Sequence, residues 1–203
     1  MYIVEGTFLT LFTTDREVKA MLHTGLYLYE KYIRGDESAL LELVRTYSDS
    51  LTRYAYCYLK DSSLAEDIME DTFAVLITKR KHFHTAEHFH GYLYRIARNK
   101  SIDYLRKHAR LTPLEDVQEL LAHENTEQEA LKKERDQKIY ICMQQLPEQY
   151  KEVLYLIYFE EFSIDELCRI LKKNTKQIYN QHSRAKLALK ELLIKEGITH
   201  EDL

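Results

Sequence analysis

Apolar residues recur at every third or fourth position along most of this chain, the period of a helix with one buried face. From Asp36 the run Leu40, Leu43/Val44, Tyr47, Leu51, Tyr54 and Tyr58 predicts a helix to about Leu59. Asp61-Ser62-Ser63 breaks it. Ser63 with Glu66 makes a capping-box signature for a helix over 64–80. A His-rich loop follows, then a helix over about 91–108. Its Leu93, Ile96/Ala97, Ser101 and Tyr104/Leu105 share one side, while Arg95, Asn99, Asp103 and Arg106 line another.

The second half repeats the helical period. Leu131, Ile139, Cys142 and Leu146 predict a helix over about 127–145, ended by Leu146-Pro147 because the residue before proline avoids the α region. Pro147 then suits the first turn of a new helix. Its VLYLIYF is apolar all round and predicts a central buried helix. Ser163 with Glu166 is a second capping box, opening SIDELCRIL. KKNT reads as a tight turn, with Asn174 tolerating a left-handed conformation. A last helix over about 175–194 turns Ile178, Ala185, Leu189 and Leu192 inward. A short helix, a tight turn and a basic helix make a helix-turn-helix pattern. Residues 1–33 are ambiguous: LYLYEKYI fits a short amphipathic helix, and Met21 fits an alternative start.

Composition narrows the class. Five Gly and two Pro in 203 residues leave little turn chemistry for sheets, so the fold class is all-α. Hydrophobic content of 45% and charged content of 31% fit a folded globular protein. Cys57, Cys142 and Cys168 lie far apart without a CxxC pair, as expected of buried thiols in a reducing compartment. A basic leader is absent, Glu5 interrupts the first short apolar run, and no stretch nears ~20 apolar residues. The expected location is cytoplasmic, with no membrane partner.

Net charge is −4, but its distribution is uneven. Residues 79–110 hold nine Lys/Arg and two acids; residues 168–195 hold eight and one. Between them, residues 111–134 hold seven acids and two lysines. Two basic blocks around an acidic one suggest two DNA-contacting modules and a linker that repels DNA.

Three constellations carry candidate chemistry. On helix 64–80, Glu66/Glu70 and Asp67/Asp71 are like-charged pairs one turn apart, each costing an isolated helix roughly 0.2–0.5 kcal/mol. The stripe is either a solvated face or a docking face for a basic partner, with Phe73 and Leu76/Ile77 as apolar anchors. The loop KRKHFHTAEHFH places His82, His84, His88 and His90 within nine residues. Metal binding is disfavoured there because no Cys is near and Glu87 is the only local acid. Contact with unstacked bases is favoured, beside Lys79, Arg80 and Lys81 for phosphates. On the last helix, Lys176, Tyr179, Asn180, Ser183 and Arg184 point outward, and Asn and Arg can pair with adenine and guanine edges. No nucleophile–base pair or Gly-rich phosphate loop is present, so no catalytic residues, metal or cofactor are expected.

GDESALLELVRTY, LAEDIMEDTFAVL and GYLYRIARNKSIDYLR resemble the first domain of bacterial RNA polymerase sigma factors of the sigma-70 family, extracytoplasmic-function (ECF) group. LPEQYKEVLYLIYFEEFSIDEL and QHSRAKLALKELL resemble the second. The resemblance implies a region 2 helical bundle over 34–110 and a linker over 111–126. It further implies a region 4 helix-turn-helix over 127–197, leaving an N-terminal extension over 1–33 and a tail over 198–203. It implies that Glu66, Asp67, Glu70, Asp71, Thr72, Phe73 and Leu76 bind the β′ clamp helices of core polymerase. Lys79, Lys81, His82, His84, Thr85, His88, Arg95, Arg98, Asn99 and Arg106 match the part that recognises and helps melt the minus-ten element. Capture of a flipped base is expected there. Lys176, Tyr179, Asn180, Ser183 and Arg184 match the reader of the minus-thirty-five element. Further implied partners are the β flap, promoter DNA and an anti-sigma factor. The chain departs from the family at three places. It has no Trp after the acidic helix, where Ile77 stands; Tyr179 and Gln181 stand where Lys/Arg are usual; Lys172 stands where the turn often has Gly. The competing reading is a stand-alone helix-turn-helix regulator, which leaves the acidic stripe and first basic block unexplained.

Overall fold

A computed structural model describes residues 15–108 and 141–196, with side chains from Thr24 onward in the first stretch. The chain divides into two compact units. The first holds α1 (Asp15–Ile33), α2 (Glu37–Leu59), α3 (Ser62–Lys79) and α4 (Ala86–His108). The second holds α5 (Glu148–Tyr158), most of α6 (Ile164–Leu171) and α7 (Thr175–Lys195). No strand occurs among the described residues. The linker over 111–126, most of the helix expected over 127–145, Arg110 and the tail over 198–203 lie outside them.

In the first unit α2 is the hub, packing on α1, α3 and α4. Asp36 caps its start by accepting from the Ser38 amide at 3.1 Å. Lys60 ends it in a left-handed conformation (φ 53°). The next N-cap is Asp61, not the expected Ser63: its carboxylate accepts from the Leu64 amide at 2.9 Å, so α3 opens at Ser62. A carboxylate at the cap also favours the positive end of the helix dipole.

The unit begins earlier than residue 34. Helix α1 packs on α2 and α4 and buries Leu28 and Tyr29, so part of the expected extension belongs to the core. Gly25 of α1 is buried, and a Cβ there would clash with the Tyr47 ring and its hydroxyl. Helix α4 also starts earlier than expected, at Ala86 rather than about 91. The Thr85 hydroxyl caps it by accepting from the His88 amide at 3.3 Å. His88 and His90 therefore sit on a helix, and His90 faces inward, with no exposed surface.

A chain of rings fills this core. Tyr29 stacks on Phe89 at 5.2 Å, and Tyr47 meets Phe89 edge-on at 6.0 Å. His90 stacks on Tyr94 at 4.8 Å and tilts on Tyr47 at 5.7 Å; Tyr54 lies 5.1 Å from Tyr94. Tyr94 donates to Ser50 Oγ at 2.9 Å, tying α4 to α2 through a polar tip.

In the second unit, residues 141–144 are helical and bury Cys142 and Met143, and Leu146 is buried beside Pro147. Val153, Leu154, Tyr155, Leu156 and Tyr158 of α5 are buried, as expected of VLYLIYF. Ser163 and Glu166 form their reciprocal cap: Glu166 accepts from the Ser163 amide at 2.8 Å and its own amide donates back to Ser163 Oγ at 3.4 Å. The left-handed residue of the turn is Lys172 (φ 55°), not Asn174. Asn174 instead is the N-cap of α7, in a capping box with Gln177. Asn174 Oδ1 accepts from the Gln177 amide and Gln177 Oε1 from the Asn174 amide, both at 2.9 Å. Ile178, Ala185 and Leu189 of α7 are buried, but the last inward position is Leu193 rather than Leu192.

Two expected outcomes follow from the aromatic core. Burial pushes the His90 imidazole down to a pKa of about 3, below the 6.5 of an exposed histidine. Below pH 6.5 the unfolded chain binds a proton that the folded one refuses, so stability present above 6.5 is lost as pH falls towards 3. Denaturant melts should show about 2 kcal/mol lost at this site by pH 5, and His90→Phe should lack that component. Gly25→Ala gains up to ~1 kcal/mol of helix propensity but forces the fully buried Tyr47 ring. Overpacking of ~1–3 kcal/mol should dominate, lowering the urea midpoint.

Candidate nucleic-acid and polymerase interface

Helix α3 separates its acidic and apolar residues cleanly. Glu66, Asp67, Glu70 and Asp71 are all exposed. Thr72, Phe73 and Leu76, expected beside them at a partner surface, are buried. Thr72 returns its hydroxyl to the Ile68 carbonyl at 2.7 Å. All three pack α3 on the bundle: Thr72 and Leu76 lie opposite the stripe, and Phe73, one turn from Glu70, is buried at its edge. Half-exposed Ile77 is the apolar residue left near that face.

The acidic stripe abuts the basic helix. Lys100 Nζ of α4 lies 2.8 Å from Asp71 Oδ2, and both side chains remain substantially solvent-exposed. The loop between α3 and α4 starts with Arg80 in a left-handed conformation (φ 42°), its guanidinium 5.9 Å from the centre of the Tyr32 ring. Tyr29 donates to the Lys81 carbonyl at 2.9 Å, which fixes the loop to α1. Burial pushes the Tyr29 hydroxyl up to about 12, so it stays a donor. Phe83 packs on Tyr29, Phe89 and Tyr92 at 5.1–5.6 Å.

Tyr92 is the residue that sequence reasoning missed. It is partly exposed, with Lys81 Nζ 5.2 Å and the Arg95 guanidinium 5.3 Å from its ring centre. Its signal was present: an aromatic one turn before Arg95 on the basic helix. Around it, Lys79, Lys81, His82, His84, Thr85, His88 and Asn99 are exposed, while Arg95 and Arg98 are half-buried. Arg106 is exposed but paired with Asp103 at 2.7 Å. Among the described residues no group of three His, Cys, Asp or Glu could hold a metal ion.

In the second unit Lys176, Tyr179, Asn180, Ser183 and Arg184 are all exposed on α7. Asn180 and Arg184 line a polar pocket with Gln149, Lys173, Gln177 and Gln181. Gln181 is only 8% exposed; its Nε2 donates to the Gln149 carbonyl, and its Oε1 accepts from Lys173 Nζ at 2.5 Å. On the other side of α7, Tyr158 Oη and His182 Nε2 are 3.0 Å apart.

Comparison with known families decides what such a pair of units is. The family model for Sigma-70 region 2 matches residues 43–111, and that for Sigma-70, region 4 matches residues 136–189. The chain is an ECF sigma factor of the sigma-70 family. Two relatives are the ECF RNA polymerase sigma factors SigM and SigW of Bacillus subtilis (strain 168). SigM is 29% identical over 154 residues, covering 74% of this chain and 93% of SigM. SigW is 27% identical over 171 residues, covering 79% and 91%. Among solved structures, CnrH in complex with the cytosolic domain of CnrY superposes with a TM-score of 0.59 at 20% identity, covering 85% of this chain and 98% of that one. The sigma factor RpoE in complex with the anti-sigma factor NepR from Bartonella quintana gives 0.61 at 22%, covering 75% and 94%. At those identities the structures speak for the fold.

As a sigma factor the protein acts in promoter-specific transcription initiation with RNA polymerase. A regulator acting alone would account for the region 4 match and leave region 2 without a role. No helix among the described residues is long and apolar enough to cross a membrane.

The exposed Asp71–Lys100 pair should contribute at most about 1 kcal/mol, because solvent screens it and two long side chains lose freedom. Asp71→Asn should therefore shift the unfolding midpoint by no more than this in 0.1 M salt, with the difference shrinking at 1 M salt. A loss above 2 kcal/mol would show that Asp71 supports the fold rather than presenting charge.

Proposed function

We propose that the acidic face of α3 docks this sigma factor on a basic surface of core polymerase, the clamp helices of β′. Glu66, Asp67, Glu70 and Asp71 carry that contact. The loop from Lys79 to Thr85 and the outer face of α4 take the minus-ten element. There Lys79, Lys81, Arg95, Arg98 and Arg106 meet phosphates, and His82, His84, His88, Asn99 and Tyr92 meet unstacked bases. Helix α7 reads the minus-thirty-five element through Asn180, Ser183 and Arg184, with Lys176 and Tyr179 at its edge. The second unit also meets the β flap, and the protein works in the cytoplasm, where the polymerase is.

The observation that carries this reading is the layout of the first unit. One small bundle exposes an acidic face on α3 and a basic, aromatic surface on α4 and its preceding loop, the two meeting at Asp71 and Lys100. A protein that only binds DNA gains nothing from the acidic face, which repels phosphate. CnrH was solved with the cytosolic domain of CnrY, and RpoE with the anti-sigma factor NepR. By analogy, an anti-sigma factor is proposed for this chain.

Charge reversal tests the docking face. Glu66→Lys with Glu70→Lys should keep the helical circular dichroism, since both side chains are exposed, and should abolish binding to core polymerase in a pull-down or fluorescence titration. Unchanged polymerase affinity in the folded double variant would remove α3 from the interface.

A further inference from the structure

Helix α7 is poor in cations where a recognition helix meets DNA: residues 175–184 contain only Lys176 and Arg184. The turn before it offers a third. Lys173 is half-buried, and its ammonium donates to Gln181 Oε1 at 2.5 Å. The other end of the same amide donates to the Gln149 carbonyl in the first turn of α5. The reversed amide would set its NH₂ against an ammonium and its carbonyl against a carbonyl, so one orientation alone is stable. Gln181 thus joins the turn, the recognition helix and α5 at one buried point. Lys173 is held in the pocket that Asn180 and Arg184 also line. A free lysine loses rotamer entropy when fixed, and here part of that loss precedes DNA binding.

We infer that Gln181 is a positioning residue that holds Lys173 as a phosphate-contacting cation beside the base-facing Asn180 and Arg184. This rests on α7 being the minus-thirty-five reader. A buried, uncharged residue on the helix sets the place of a charge carried by the turn, so the phosphate contact is made without a cation at position 181.

The test uses holoenzyme reconstituted from the full chain and core polymerase. The probe is a promoter duplex recovered by transcription from genomic DNA, with its minus-thirty-five element intact or scrambled. Affinity is measured against KCl concentration. Lys173→Gln should make the slope of log affinity against log salt shallower by about 0.9, the value of one phosphate contact. Its loss should be the same factor on both duplexes. Lys173→Arg should restore most of the slope. Gln181→Leu should give the same shallower slope although it removes no charge. If thermal melts show that it does not fold, Gln181→Glu, whose carboxylate competes with phosphate for Lys173, should do likewise. An unchanged slope in Lys173→Gln, or a wild-type slope in the Gln181 variants, would overturn the inference. Asn180→Ala and Arg184→Ala separate it from the reading beneath it. If neither alters discrimination between the two duplexes, α7 is not the reader. If they do while Lys173→Gln keeps the wild-type slope, only the role of Gln181 and Lys173 falls.

Discussion

Ring packing in the first unit is the constraint on which its surfaces depend. Tyr29, Phe89, Tyr47, His90, Tyr94 and Tyr54 form a continuous run of contacts through α1, α2 and α4. Each ring removes a large apolar area from water, and two polar tips find partners at the edge, Tyr94 on Ser50 and Tyr29 on the Lys81 carbonyl. That last bond passes the order of the core to the loop. Arg80 and Lys81 are thereby placed against Tyr32 and Tyr92, and the basic surface of α4 continues into a loop of fixed shape. Burial depresses the basicity of His90, so a neutral imidazole completes the core.

Charge is sorted on top of this frame. A net charge of −4 hides two basic blocks and one acidic stripe. Salt bridges trim the positive surface: Lys100 is held by Asp71 and Arg106 by Asp103. Each pair is weak in water, so a phosphate or a partner carboxylate can replace it at little cost. The first half of α7, with only Lys176 and Arg184, is supplemented differently, the neutral amide of Gln181 aiming Lys173.

Much of this was legible in the sequence, and the reasons differ by element. The helical period marked α2, α4, α5 and α7, capping boxes marked α3 and α6, and only the end of α1 was legible, because LYLYEKYI is short and its partners lie on α2 and α4. The four exposed acids of α3 follow from phase alone. Leu76 lies across the helix from the stripe by phase, whereas Phe73 borders it one turn from Glu70, and its burial depends on the bundle packed against that edge, which helical phase does not encode. The early start of α4 was missed because a His-rich run has no strong propensity, and Thr85 capping with Ala86 and Phe89 burial decided it. Lys172 rather than Asn174 takes the left-handed position because Asn174 is needed at the cap. Pairings such as Lys173 with Gln181 depend on a third residue, Gln149, thirty-two positions away from Gln181, and no local pattern encodes that.

The measurement that bears most directly on the whole reading is transcription by core RNA polymerase with and without this protein, on a library of genomic DNA fragments. Discrete new start sites sharing a two-part upstream element are expected, and they would reveal the promoter along with the activity. A stable complex with core polymerase that yields no new start, or no complex at all, would contradict it.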